Sequence, residues 1–464
     1  MGVLGILLSL GLLMFMAYRG FSVIFFAPVF AILAAVFSGM SIMPTYTEIF
    51  LPNLANYVKI YFPFFLLGAV FGKVMEESGA AKSIARFIVQ KLGKRQAILA
   101  VVLSAAILTY GGVSLFVVAF AVYPFAASVF KEADIPKRLL PATIALGAFT
   151  FTMDALPGTP QIQNSIPMKF FNTDLYAAPV FGTLGTLIVL GCGLAYLEWR
   201  KRSAQAAGEG YGTNHKQEPE IVEDTNLPNP LLSVVPLASV LIITLILQKM
   251  VFPQWDITAW ATQAPYNMAK AGIVGTMNNW ALIIALVIGS GLALIINPKR
   301  IKGNIARAIN AGAIGSLLAV MNTASEVGFG NVIKSLPGFQ SIAQALMGIN
   351  GNGSPLLSEA VTVNVLAGVT GSASGGMSIA LDTFGKHYLE WATRTGISPE
   401  LLHRVASMAS GGMDTLPHNG AVITLLGIAG LTHKESYKDI FAITLLKTFT
   451  VIILILLQSV FHFV

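Results

Sequence analysis

Met153-Asp154-Ala155-Leu156-Pro157 is answered later in the chain by Met413-Asp414-Thr415-Leu416-Pro417. Each element sets an acidic residue and a helix-breaking proline inside an otherwise apolar segment. In hydrocarbon a charge and a broken backbone are both expensive, so two matched copies read as a duplicated site. Glycine or proline marks each break (Pro157, Gly158, Pro160; Pro417, Gly420), with short helical stretches at 138–153 and 160–172, and at 401–413 and 420–431. Both regions read as discontinuous spans.

Before each break the pattern predicts a hairpin. Residues 97–130 are largely apolar and interrupted by Gly111-Gly112. Arms of about 14–16 residues reach only ~21–24 Å, short of a ~30 Å hydrocarbon core, so a re-entrant hairpin fits better than two full spans. The matching region is 355–393, with its tip at Gly371-Ser372-Ala373-Ser374-Gly375-Gly376. Full spans are expected near 3–19, 21–40, 54–76, 178–199, 230–248, 279–297, 305–330 and 439–462. Met1–Tyr18 lacks a basic start and a small-residue cleavage site, and so reads as a retained first span.

The halves echo each other beyond the breaks. Phe71-Gly72-Lys73-Val74 resembles Phe329-Gly330-Asn331-Val332, and Gly111-Gly112-Val113-Ser114 resembles Gly375-Gly376-Met377-Ser378. Each half then holds three spans, a hairpin returning to its own side, a broken span and a final span. Five crossings is an odd number, so the second half is expected upside down relative to the first. The inner loops of that topology collect twenty of the 29 Lys and Arg residues, as the positive-inside rule asks. The expected fold is an all-α polytopic membrane protein of two inverted-topology repeats, 1–199 and 230–464, joined by a polar cytoplasmic linker, 200–229, with both termini outside.

Composition agrees with this class. The chain has 464 residues, 55% hydrophobic and 11% charged, where a soluble domain carries about a quarter charged residues. The net charge of +7 belongs to the inner loops and implies no nucleic-acid partner. A single cysteine, Cys192, excludes an intrachain disulfide and a cysteine-based metal cluster. No HExxH, nucleophile elbow or P-loop is present, so no enzyme, metal site or cofactor is expected.

Two inverted repeats bring the tips and breaks together near the midplane, with four helix N-termini around one cavity that favours a small organic anion. No arginine is needed at its centre, and none of the candidate site segments is expected to supply one. The expected substrate ligands are Gly111, Gly112, Ser114, Thr159, Gln161 and Asn164 in the first half, with Gln163 beside them. The second half offers Ser372, Ser374, Gly375, Gly376, Ser378, His418 and Asn419. Asp154 and Asp414 are candidates for proton coupling or gating, with helix capping as the plain alternative. Glu326, which faces Gly68 by the internal offset and so breaks the symmetry, is a candidate proton carrier.

At Gly111–Ser114, Met153–Asn164, Gly371–Ser378 and Met413–Asn419 the chain resembles the gluconate permease family of proton-linked carboxylate symporters, within the wider ion transporter superfamily. The resemblance covers essentially the whole chain and is strongest to the Bacillus-type D-β-hydroxybutyrate permeases. It implies uptake of a short hydroxy-monocarboxylate such as 3-hydroxybutyrate or gluconate across the cell membrane, with protons placed ahead of sodium. It also implies a homodimer and an elevator motion. The Ser-Asn-Thr tips of the superfamily's dicarboxylate carriers do not occur at these positions, so no sodium site is carried over. The alternative from a different class is a sodium/proton antiporter without organic substrate.

Overall fold

The computed structural model describes all residues except 1, 20, 114, 214, 216–217, 219–226, 258–260, 262, 264–269, 342–344, 346–347, 350–352 and 418. Among the described residues there is no strand, and the first half runs α1 (Gly2–Tyr18), α2 (Val23–Phe37), α3 (Ile42–Glu77), α4 (Ala80–Leu92), α5 (Ala97–Tyr110) and α6 (Leu115–Glu132). It continues with α7 (Leu140–Ala148), a single turn at Phe151–Asp154, α8 (Ile162–Phe171) and α9 (Pro179–Ala206). The second half runs α10 (Pro230–Gln254), α11 (Lys270–Ile296), α12 (Ile305–Ser335), α13 (Pro355–Thr370) and α14 (Ala373–Thr395). After these come α15 (Pro399–Ser410), a tight turn at Met413–Thr415, α16 (Gly420–Ala429) and α17 (His433–Phe461).

By length and composition, six helices among the described residues can cross a membrane: α3, α9, α10, the Asn279–Ile296 part of α11, α12 and α17. They expose Leu187, Leu231, Ile314 and Val460, as a lipid-facing surface does. The third span begins at Ile42, well before the expected 54, because the helical turns continue through Ile42–Phe50. α4 differs in kind. It buries Ala80, Ala81, Ile84 and Ala85 along one face and turns 102° into the next helix.

Hydrophobic driving force is weak between helices in lipid, so close packing of small residues has to hold them. α3 lies along α12, and at Gly312 an added Cβ would come within 2.7 Å of the Val70 Cα. α2 also packs on α12, and α11 on α3, so each half's second helix meets the other half's third. The hairpin pairs α5–α6 and α13–α14 sit against the broken helices. α8 packs on α14 of the second hairpin, and α16 packs on α6 of the first. At Gly376 an added Cβ would strike the Ala367 backbone, which keeps α14 tight against α13.

The breaks follow from local chemistry. α7 stops at Ala148, and Pro157 and Pro160 supply no N–H to continue a helix. Gly158 takes a left-handed φ of +81° between them. The hairpin turns likewise use Gly112 at φ +94° and Gly371 at φ +69°. The second turn is only Gly371-Ser372, so Ser374, Gly375 and Gly376 lie in the first turn of α14 and not at a loop tip as expected.

The linker departs from its expectation at both ends of its described part. α9 continues helically to Ala206, past the expected boundary at 199. Beyond it Glu209 makes a two-pronged pair with Arg138 at 2.6 and 2.8 Å, and Glu218 meets Lys137 at 2.9 Å. Tyr211 donates its backbone N–H to Asp134. Arg138 and Arg200 also converge on Asp439 of α17, at 3.1 and 2.6 Å. The acidic residues Glu220, Glu223 and Asp224 lie outside the described residues.

Candidate functional site

The two Asp-x-Leu-Pro elements meet at a lysine. Lys447 sits midway along α17, and a charge at that depth needs a partner. Its ammonium donates to the Phe149 carbonyl at 2.7 Å and lies 3.1 Å from Asp154 Oδ2 and 3.7 Å from Asp414 Oδ1. All three side chains are buried. Phe149 follows the last residue of α7, where the helix leaves carbonyls without intrahelical donors. Room for the contact comes from Gly411, where a Cβ would collide with both the Asp154 carboxylate and the Lys447 ammonium.

Neither aspartate caps the half-helix that follows it. The residue entering α8 is Gln161, which makes no side-chain cap, and the residue entering α16 is Asn419. Asn419 accepts from the Ala421 and Val422 N–H groups at 2.7 and 3.1 Å, and donates to the Gly371 carbonyl at 2.7 Å. It thereby ties the second break to the second hairpin. In the first half Gln161 donates to the Thr109 carbonyl at 2.7 Å, and the Tyr110 hydroxyl to Pro157 at 2.8 Å. Each break is thus clasped to the hairpin of its own half, with Gly112 packed against Pro160.

Asn164 is the hub of the first break. Its amide nitrogen donates to the Thr159 and Leu175 carbonyls, both at 2.9 Å. Its oxygen therefore accepts, from Arg404 at 2.8 Å and from His403 Nε2 at 3.0 Å. This assigns the proton of His403 to Nε2 and leaves Nδ1 to accept from the Thr173 hydroxyl at 2.6 Å. Arg404, fully buried, also donates to the carbonyls of Asp154, Leu175 and Ala177. The sequence pattern led to the expectation of no arginine at the site. α15 instead packs on α8, which carries this side chain into the first break. Thr159 turns its hydroxyl to the Thr152 carbonyl at 2.6 Å. Thr159 and the amide nitrogen of Asn164 thus bond the backbone of the break, and the Asn164 oxygen holds Arg404 and His403.

A second polar cluster forms at the start of α14. Ser372 caps the helix by accepting from Gly375 N–H at 3.1 Å, and Ser374 lies 3.5 Å from it. Glu326 of α12 faces Ser372 and presses against Gly375, where a Cβ would strike its Oε2. The Tyr57 hydroxyl of α3 faces Ser374, Ser378 and Glu326. In this cluster, among the described residues, no donor or acceptor meets the hydrogen-bond geometry for Glu326 Oε2, Ser378 Oγ or Tyr57 OH. A polar cleft lined by Asn53, Asn56, Tyr57, Lys169, Ser378 and Asp382 opens beside them. Two of the four helix N-termini expected to face an anion, those of α14 and α16, are therefore occupied by their own caps.

The structure thus gathers Ser372, Ser374, Gly375, Ser378 and Glu326 into one cluster, and Asp154 with Asp414 into another. Gly376 serves helix packing, and Gly111 abuts Leu237 of α10. Gln163 of α8 is buried with its side-chain oxygen unpartnered. Ser114 and His418 lie outside the described residues. Sequence reasoning assigned no role to Lys447, Tyr57, His403 or Arg404. For Lys447 a signal was present: a lone lysine inside an apolar span has to find a carboxylate.

A family model described as GntP family permease matches residues 1–461. The uncharacterized transporter YxjC of Bacillus subtilis is 51% identical over 467 residues, covering 98% of each chain. An uncharacterized transporter of Haemophilus influenzae is 25% identical over 376 residues, covering 80% of this chain and 78% of its own.

Proposed function

Because the chain belongs to the GntP family of permeases, we propose that it is a proton-coupled importer of a small hydroxy-monocarboxylate, 3-hydroxybutyrate or a gluconate-like acid. It works by alternating access in the cell membrane, as a homodimer whose inverted repeats have both termini outside. The observation that carries this reading is the Glu326 carboxyl, buried and at one oxygen without a hydrogen-bond partner among the described residues, beside the hydroxyls of Ser378 and Tyr57. The hydroxyls suit a hydroxylated substrate. The carboxyl supplies the coupling. A substrate carboxylate beside an ionised Glu326 would face like-charge repulsion that a low-dielectric site scarcely screens, so the anion enters together with a proton. Lys169 lines the narrow polar cleft beside this cluster, a positive charge near the proposed site. No observation favours the sodium/proton antiporter over this reading.

Uptake of labelled 3-hydroxybutyrate and gluconate into proteoliposomes, under imposed proton or sodium gradients, tests the proposal. Accumulation of either acid driven by an inward proton gradient is the expected result. Failure of both acids to accumulate under any gradient overturns it.

A further inference from the structure

The oxygens around Lys447 make a ligand set that would suit a free ion. A backbone carbonyl and two carboxylates from different breaks converge on one ammonium. Such hard oxygen donors are those that bind bare cations. α7 ends at Ala148 and α15 at Ser410, beside this point, so two helix C-termini add their negative ends. The contacts to the carboxylates are ionic and not directional. Asp154 Oδ2 and Asp414 Oδ1 are buried within ion-pair distance of Lys447, and among the described residues no other donor reaches either oxygen. That is the geometry of a charge held by field and cavity.

We infer that Asp154, Asp414 and the Phe149 carbonyl form a monovalent-cation site whose permanent occupant is the Lys447 ammonium, and that removing the ammonium lets sodium or lithium bind in its place. The balance of charge supports this. Asp154 and Asp414 both face Lys447, and Arg404 lies beside Asp154, so losing the lysine leaves one negative charge uncompensated in a low-dielectric interior. At Gly411 the backbone lies directly against the Asp154 carboxylate and the Lys447 ammonium, so no side chain there competes for the vacated space. A tethered ammonium cannot leave with the substrate, so the intact chain needs no sodium to fill the site. This deepens the proton-coupled reading proposed above, but the cation site itself does not rest on any transport activity.

The test is thermal unfolding of the purified full-length protein, followed by tryptophan fluorescence in sodium, lithium or choline chloride at equal ionic strength. The wild type is expected to melt at the same temperature in all three. Lys447→Ala is expected to melt a few degrees higher in sodium or lithium than in choline, saturably with concentration. Adding Asp154→Asn and Asp414→Asn to that variant removes the effect. Equal melting of Lys447→Ala in all three salts overturns the inference. Should Lys447→Ala not fold, Lys447→Ser, which keeps both carboxylates and places a hydroxyl in the vacated space, takes its place in the same three salts, and its indifference to sodium and lithium overturns the inference equally. Because the readout is ion binding, its failure leaves the uptake result standing, and a failed uptake assay leaves the cation site standing.

Discussion

The Lys447 ammonium of the last helix lies 3.1 Å from the Asp154 carboxylate of the first break, inside a pocket where both side chains are buried. One ionic contact therefore joins the two halves of the chain at the place where each half interrupts its helix. Asp414 completes it at 3.7 Å from the same nitrogen.

Removing one partner of a buried ion pair typically costs about 3–5 kcal/mol, because the charge left behind is desolvated and unpaired. Lys447→Met, measured in choline chloride, is expected to lose stability on that scale. Lys447→Met/Asp414→Asn, which removes the stranded charge and leaves Asp154 balanced by Arg404, should recover most of it. Thermal or denaturant unfolding in detergent checks both, and equal destabilisation of the two variants would contradict the pairing.

Asn164→Ala strips partners from Arg404, His403 and two carbonyls at once. An unsatisfied buried polar group costs about 1–3 kcal/mol, so a marked fall in melting temperature is expected. Substrate affinity of whatever protein remains folded should change little, since the amide serves the break. A KM rise without loss of stability would return Asn164 to the substrate.

Glu326→Gln keeps the shape of the side chain and removes its titration. Proton-driven accumulation in proteoliposomes is expected to vanish, while exchange of internal for external labelled substrate continues. Retained accumulation removes Glu326 from the coupling role.

Gly375→Ala drives a methyl group into the Glu326 carboxylate. Overpacking of this kind costs about 1–3 kcal/mol, which a chain of this size survives. The expected outcome is folded protein with transport strongly reduced. Gly420→Ala, where an added Cβ meets nothing, serves as the control.

The linker strap should open in acid. The two-pronged hydrogen bond from Arg138 holds the Glu209 carboxyl below its ordinary pKa of 4.5. A carboxyl depressed in the folded state contributes stability fully above its unfolded pKa and loses it as pH falls through the lower, folded one. Access of an acid-active protease to residues 207–213 should therefore rise only below about pH 4.5. Glu209→Gln should show that access at neutral pH.

Much of the backbone plan was legible because its signals are local. Proline without an N–H, glycine at positive φ and apolar runs of spanning length act within a few residues, so the breaks at Pro157 and Pro417 and the turns at Gly112 and Gly371 fell where expected. Thr159, Asn164 and Asn419 lie at the expected breaks, where they bond the backbone beside them and, through the Asn164 oxygen, Arg404 and His403. Residue type and position alone do not tell an amide that meets a ligand from one that meets the carbonyls of its own break.

The sequence by itself determined an all-helical chain with long apolar helices, two hairpins and two interrupted helices, since each is dictated by nearby backbone chemistry and by the cost of polar groups in lipid. Only the tertiary structure decided that Lys447 answers Asp154 and Asp414, that Arg404 and His403 lock onto Asn164, and that Tyr57 faces Glu326. Apart from Lys447 with Asp414, those pairings join residues more than 200 positions apart in the chain. They depend on which faces of α8, α12, α15 and α17 turn toward each other, which is set by the packing of the whole bundle and by no single segment.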